Sequence, residues 1–169
     1  MKKLICFVIC AALLCSCSFD NEEFFDYQDK EISFDCTLIY NGHENNAKVT
    51  MSAPNEKGER ETVRVEYSSP EMIGGYSLEK SDGEYKGKMG DIEIPFGEKT
   101  AGVVKAIERI FSLSEDMISS IETAENKMTE ASFVCEEISG KVIMNEKGEL
   151  SSIEASFSDG NSVSLKIKE

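Results

Sequence analysis

The sequence predicts an α+β domain in which one antiparallel sheet, apolar on one face, is covered by one or two helices. Apolar and polar residues alternate from Ile32 onward and again from Ala131 onward, which is the period of a half-buried strand. Asn41-Gly42, a preferred two-residue hairpin turn, follows the first alternating segment. Between the two regions, residues 100–113 change to the helical period of 3.6. The apolar face of the sheet is the obvious surface for this helix to cover.

The first seventeen residues differ in pattern from the rest of the chain. Two lysines precede the apolar run 4–14, which is too short to span a bilayer. The tetrapeptide Leu-Cys-Ser-Cys that follows, residues 14–17, resembles the lipobox of bacterial lipoproteins. The resemblance implies that residues 1–16 are a lipoprotein signal peptide, cleaved after Ser16, and that the sulfur of Cys17 carries a diacylglycerol. The expected location is therefore outside the cytoplasm, anchored to a bacterial membrane; a transmembrane anchor or a plain secretory signal are the alternatives.

Residues 17–30 connect the predicted lipid to the domain. They mix five carboxylates with aromatic residues that include Phe24, Phe25 and Tyr27. The acidic residues favour a solvated tether, whereas the aromatic residues favour docking on the edge of the domain. Both interpretations stay open, and the folded domain is predicted to occupy residues 31–169.

Charge narrows the choice of partners. The chain carries a formal charge of −14, and the signal peptide contains two lysines and no acidic residue, so removing it leaves −16. Phosphates and anionic headgroups repel such a domain, which argues against nucleic acid as a partner. The predicted membrane association therefore depends on the lipid anchor, not on a basic surface.

Two cysteines remain in the predicted domain, Cys36 and Cys135. Outside the cytoplasm they either form a disulfide or remain two buried thiols. No Cys-x-x-Cys or Cys/His spacing is present, so no metal site is predicted. His43 is the single histidine and follows the Asn41-Gly42 turn, which makes catalysis or metal binding by it a poor prediction.

The hairpins can be aligned by requiring apolar residues to face one another. A two-residue turn at Asn41-Gly42 predicts four cross-strand pairs: Tyr40 with His43, Cys36 with Ala47, Phe34 with Val49, and Ile32 with Met51. The same rule pairs Ala53 with Val63 across a solvent-exposed loop, 54–61. Short strands continue as a meander to Pro95.

The helical segment near 100–113 carries an apolar stripe. Val103, Ile107 and Ile110 lie on it, with Val104 and Phe111 beside them. A capping-box pattern after this segment, Ser-Leu-Ser-Glu, predicts a second, short helix near 115–122.

The last third of the chain is predicted to form hairpins again. Val142 facing Ile153 requires a loop of even length between their strands. Phe157 facing Val163 requires a three-residue loop, 159–161, with a left-handed residue.

Several turns and breaks follow one another in a distinctive order: the Asn41-Gly42 hairpin, a break at 69–71, the Gly74-Gly75 step, an Asp82-Gly83 turn followed by Tyr85, and then the helix. This order resembles that of the LolA-like lipoprotein carrier group, and the resemblance covers residues 31–169. It implies a strongly curved, incomplete β-barrel with helices on its concave apolar face and a cavity that holds acyl chains. The lining residues would be Phe34, Leu38, Met51, Val65, Tyr67, Leu78, Val103, Ile107, Ile110, Phe111, Phe133 and Phe157.

Two features depart from that group. The chain carries its own predicted lipid anchor, and the amphipathic N-terminal helix of the carriers is absent unless residues 21–29 are a short version of it.

The expected function is binding of a lipid or another apolar ligand. The alternative is a structural or protein-interaction lipoprotein whose concave face is filled by its own helix. No Gly-x-Ser-x-Gly, Cys-His pair or phosphate-binding loop is present, so neither an enzymatic activity nor a cofactor is predicted.

Overall fold

The structure is a computed structural model that describes residues 29–69, 71, 74–96, 101–124, 127–135 and 137–168. The predicted signal peptide, the lipidation site and most of the tether lie outside these residues. The strands are β1 (Ile32–Tyr40), β2 (His43–Met51), β3 (Thr62–Ser69), β4 (Tyr76–Ser81), β5 (Glu84–Met89), β6 (Ile92–Phe96), β7 (Ile118–Thr123), β8 (Thr129–Val134), β9 (Ile138–Met144), β10 (Leu150–Phe157) and β11 (Ser162–Ile167), and α1 is Gly102–Ile110.

In the described part of the chain, all eleven strands belong to one antiparallel sheet. Its order is β6-β5-β4-β3-β2-β1-β11-β10-β9-β8-β7. The first and last strands therefore pair in the middle, and each half of the sheet is a simple meander. The connection that contains α1 joins β6 to β7, the two edge strands. This connection carries the helix across one face of an open sheet.

The sheet has to bend around this helix. Eleven strands at a spacing of about 4.8 Å would be about 50 Å wide if they lay flat. The nine residues of α1 make a helix of about 14 Å. Buried side chains from β1, β2, β3, β8, β9, β10 and β11 nevertheless form one cluster with the helix. The face that carries this cluster is called the concave face below.

The predicted β1–β2 register is confirmed. Tyr40 pairs with His43, and the alignment continues to the last pair, Ile32 with Met51. Asn41 and Gly42 both have positive φ, 50° and 80°, as the turn predicted at these two residues requires. The alternate residues of β1 that face the core are buried or half-buried, so the choice of turn and the apolar pattern agree.

The loop after β2 differs from the prediction. Val63 pairs with Met51 and not with Ala53. The strand pairing continues beyond β2 as far as Asn55, whose N–H donates to the Glu59 carbonyl oxygen at 2.8 Å. The predicted eight-residue loop is therefore a three-residue turn. Because the shift is two residues, the same side chains still face the core.

The turn after Asn55 recurs after Asn145, because the pentapeptide Asn-Glu-Lys-Gly-Glu occurs at 55–59 and at 145–149. In each copy the asparagine Oδ1 accepts two main-chain N–H groups, at 2.9 to 3.1 Å, and the glycine has φ near 77°. The asparagine side chain supplies the hydrogen bonds that close the turn, so the sequence repeat is a repeat of turn chemistry.

This turn also corrects the prediction for β9–β10. Val142 faces Ile153 as expected, but the loop has three residues and is not even in length. An irregularity between Leu150 and Ser152 restores the alignment. The β10–β11 prediction is wrong by two residues, since Val163 pairs with Ala155 and Gly160 takes the left-handed position of a loop at 158–160.

The predicted first helix corresponds to α1, whose apolar stripe is buried. The second helix predicted near 115–122 is wrong for most of its length. A single 3-10 turn, Glu115–Met117, precedes β7, which pairs with β8. Ile118 and Ile121 contact the core from this edge strand, so tertiary pairing overrides the local helical signal. No helix in the described residues is long and apolar enough to cross a membrane.

Candidate functional site on the concave face

The structure brings the twelve proposed lining residues together on the concave face. All belong to, or pack against, a single core cluster around α1. Phe34 and Leu78 are half-buried, and the other ten are buried. The ring of Phe34 packs against that of Phe111 with centroids 6.0 Å apart. The structure therefore places these side chains in one cluster on the side of the sheet that α1 covers.

Beneath α1 these side chains fill the space between helix and sheet. Leu38, Ile107, Ile110 and Phe133 have no exposed surface. Gly140 lies under the Phe133 ring, and a Cβ atom at this position would be 2.8 Å from the ring. Such close packing leaves the helix-covered part of the face to the protein's own side chains.

Beyond the helix, the concave face continues as an apolar strip on β4–β6, defined here as Tyr76, Leu78, Met89, Ile92 and Ile94. Strand pairing aligns Tyr76, Met89 and Ile92 in one row across the three strands. Leu78 and Ile94 lie in the next row. Leu78 also pairs with the buried Val65, which places the strip on the same face as the core. Ile92 is 65% exposed, Met89 51% and Ile94 47%. Exposed apolar side chains usually occur singly on a protein surface, whereas these three are neighbours.

Sequence reasoning included Leu78 in the site but missed the three exposed members of the strip. Alternation along β5 and β6 does assign Met89, Ile92 and Ile94 to the apolar face. Alternation predicts which side chains share a face of the sheet, but it does not predict how much of that face the helix covers. The position of α1 decides which apolar residues are core and which are surface.

Polar contacts hold the helix beside the strip. Lys80 of β4 forms an ion pair with Glu108 of α1. The Lys105 ammonium lies 5.8 Å from the centre of the Tyr85 ring. Both contacts link α1 to the β4–β5 hairpin, so the helix edge next to the strip is anchored by charge.

Tyrosine rings form the border between the strip and the core. The rings of Tyr67 and Tyr76 stack with centroids 6.2 Å apart. Burial raises the pKa of Tyr67 to about 12, and the neighbouring Tyr76 adds to the effect. The Tyr67 hydroxyl is therefore neutral at physiological pH and adds no charge to this border.

A polar cleft of about 390 Å³ lies along α1, between Tyr40, Gly102, Arg109 and Asp159. Asp159 is held by Asn161, whose main-chain N–H donates to its carboxylate and lowers the pKa of Asp159. A Cβ atom at Gly102 would lie 2.4 Å from the Tyr40 hydroxyl, so glycine lets this ring approach the helix. The cleft joins α1 to two hairpin loops and carries charges of both signs.

The two domain cysteines are free thiols in the structure. Cys36 is in β1 and Cys135 follows β8, and three strands separate β1 from β8 in the sheet. Of the two alternatives, the structure therefore has the unbridged one. Cys36 has no exposed surface, and burial raises the pKa of its thiol to about 12, whereas Cys135 is half-buried.

The two thiols are expected to differ in reactivity. Because the thiolate is the nucleophile, the buried, protonated Cys36 should react with a disulfide reagent such as DTNB at least a thousandfold more slowly than Cys135 at pH 8. The folded, lipidated chain should release one equivalent of thionitrobenzoate, and the unfolded chain two. Cys135→Ser should remove the fast equivalent. Release of none from the unfolded, unreduced chain would instead indicate a disulfide.

The described residues contain no group of three or more histidine, cysteine, aspartate or glutamate side chains that could hold a metal ion. His43 is exposed beside the β1–β2 turn.

Comparisons with known proteins find similarity among solved structures. No protein-family model and no curated protein matches the sequence. Among solved structures, the chain is similar to a LolA superfamily protein from Nitrosomonas europaea, with a TM-score of 0.42 and 8% identity over 88% of this chain and 89% of that chain. The resemblance noted from the sequence names the same group.

Proposed function

We propose that this chain is a lipoprotein of the bacterial cell envelope that binds the acyl chain of a lipid on its apolar strip. The lipid on Cys17 would anchor it outside the cytoplasm, as the signal sequence and lipobox favour. The proposal assigns the chain no reaction and no cofactor.

The observation that supports ligand binding is the exposure of the strip. Burying an isoleucine or methionine side chain contributes about 1.5–3 kcal/mol, and Met89, Ile92 and Ile94 forgo much of that contribution. The three side chains are adjacent on a face that is core elsewhere. A ligand that covered them would recover the lost burial.

An acyl chain suits this surface better than a polar ligand. The strip presents carbon atoms from three neighbouring strands, and its residues bring no charged group to the concave face. Each methylene buried contributes about 0.8 kcal/mol, so contact with about six methylenes would contribute about 5 kcal/mol.

The filled core favours a second candidate, a protein-interaction lipoprotein without a small-molecule ligand. Leu38, Ile107 and Phe133 have no exposed surface, so a ligand between α1 and the sheet would have to displace the protein's own side chains. On this alternative the strip would contact a protein partner. The two candidates differ in whether the purified chain carries lipid.

Lipid extraction and native mass spectrometry test the proposal on residues 18–169, the mature chain without its lipidated cysteine. The wild-type chain is expected to retain an acyl-chain lipid or to take up added oleate. The Ile92→Ser, Ile94→Ser double variant should bind oleate at least fivefold more weakly, because two apolar contacts are lost.

Val134→Ser is the matched control. Val134 is 62% exposed but is on the opposite face of the sheet, in β8, so its replacement should leave oleate binding unchanged. A wild-type chain that remains free of lipid and of added oleate would contradict the proposal and favour the second candidate. Equal loss in the control and in the strip variant would show that binding does not involve the strip.

A further inference from the structure

The turn of the β5–β6 hairpin differs from the other two-residue turns of the described residues. Met89 and Ile92 flank the Gly90-Asp91 turn as direct cross-strand partners, and both are more than half exposed. The β1–β2 turn is flanked by a half-buried tyrosine and a histidine, and the β4–β5 turn by a serine and a glutamate. The β5–β6 hairpin therefore carries apolar side chains to its very end.

The free edge of this hairpin is poorly suited to pair with another strand. In a hairpin closed by a two-residue turn, the flanking pair exchanges hydrogen bonds, so the main-chain groups of Ile92 and Ile94 point toward β5. Those of Glu93 and Pro95 then point to the free edge, and Pro95 has no N–H to donate. A molecule that contacts the outer edge of β6 therefore meets mainly side chains and few main-chain hydrogen-bonding groups.

The predicted anchor keeps this hairpin close to a bilayer. Arg60 is buried and donates to the Lys30 carbonyl oxygen at 3.1 Å, which fixes where the chain enters the domain. Residues 18–30 can span at most about 45 Å. The hairpin end lies about 24 Å from Lys30 across five strand spacings and about 20 Å along the strands, because it is level with Cys36, which gives about 31 Å in all. The hairpin end is thus within reach of the membrane that holds the lipid.

We propose that the end of the β5–β6 hairpin, Met89 to Ile92, inserts into the bilayer that anchors the protein, so that an acyl chain passes from this bilayer to the strip without crossing water. The inference rests on the proposed function for the anchor and the ligand. Because the mature chain is strongly acidic, the contact depends on apolar side chains and favours a zwitterionic over an anionic lipid surface.

The chain contains no tryptophan, so a single introduced tryptophan reports on its own surroundings. Asp91→Trp places the reporter in the turn, outside the strip. Lys147→Trp is the matched control, because Lys147 is an exposed turn residue at the end of β9–β10, in the other half of the sheet. The lipidated full chain carrying either reporter is reconstituted in phosphatidylcholine vesicles with and without bromine on the acyl chains.

Brominated acyl chains should quench the fluorescence of the Asp91→Trp chain at least twofold and shift its emission to the blue, and should leave the Lys147→Trp chain nearly unchanged. Adding Met89→Ser and Ile92→Ser to the Asp91→Trp chain should abolish the quenching, which excludes insertion driven by the reporter itself. Equal quenching of the two reporters, or quenching that survives the two serines, would overturn the inference. Uptake of oleate by residues 18–169 tests the proposed function separately, so the two failures are distinguishable.

Discussion

Replacing Gly140 by alanine is expected to lower the free energy of unfolding by about 3 kcal/mol, near the upper end for overpacking of a core. An added Cβ would lie 1.9 Å from the Glu154 carbonyl oxygen, 2.9 Å from the Ala155 Cα and 2.8 Å from the Phe133 ring. The first two atoms belong to the main chain of β10, which cannot rotate away as a side chain can. The sheet must therefore open at β9–β10, beneath the largest fully buried ring of the core.

Urea denaturation followed by circular dichroism measures this change as a lower midpoint at an unchanged slope. Gly74→Ala is the matched control, since its Cβ would lie 3.4 Å from the nearest atom, an ordinary contact, and its φ is not positive. Gly74→Ala should lower the free energy of unfolding by less than about 1 kcal/mol. A loss at Gly140 no larger than that of the control would contradict the packing described for β9 and β10.

The sequence predicted which side chains face the core more securely than it predicted which residues pair. Parity alone assigned Val63 and Val163 to the concave face, and both are buried there. Their partners are nevertheless displaced by two residues, Met51 in place of Ala53 and Ala155 in place of Phe157. A shift of two preserves the face, so the apolar pattern cannot detect it. The correct pairing is set by the turns, where the Asn55 Oδ1 in one loop and the Asp159 carboxylate in the other accept main-chain N–H groups.

The strip could not be predicted as a surface for a related reason. Leu78 and Ile94 are cross-strand neighbours through Gly87 and follow the same alternation, yet one is half-buried and the other is 47% exposed. Their exposure differs because α1 covers only part of the concave face, and the position of α1 is a property of the tertiary structure. Ile118 shows the converse, because a local helical pattern was overridden by pairing with Phe133 in β8.

Replacing Cys17 by serine is expected to reduce the incorporation of labelled palmitate to background. The cysteine sulfur is the atom that would form the thioether to diacylglycerol, and a serine oxygen does not replace it in this modification. Because cleavage of a lipoprotein signal follows lipidation, the variant should also keep residues 1–16 and migrate as a larger protein than the wild type. Metabolic labelling of cells that express the full chain, followed by gel fluorography, measures both effects.

Cys15→Ser is the control that makes this result specific. Both cysteines lie at the end of the apolar run, but cleavage before Cys15 would follow Leu14, whereas cleavage before Cys17 follows the small residue Ser16. The control should therefore keep its label and its processed size. Label retained in Cys17→Ser would assign the lipid to another residue, and an unlabelled wild type would favour the plain secretory or transmembrane alternative. Without a lipid on the wild-type chain, the β5–β6 hairpin would have no anchor to hold it near a bilayer. A protein partner would then be the better candidate to cover the exposed Met89 and Ile92.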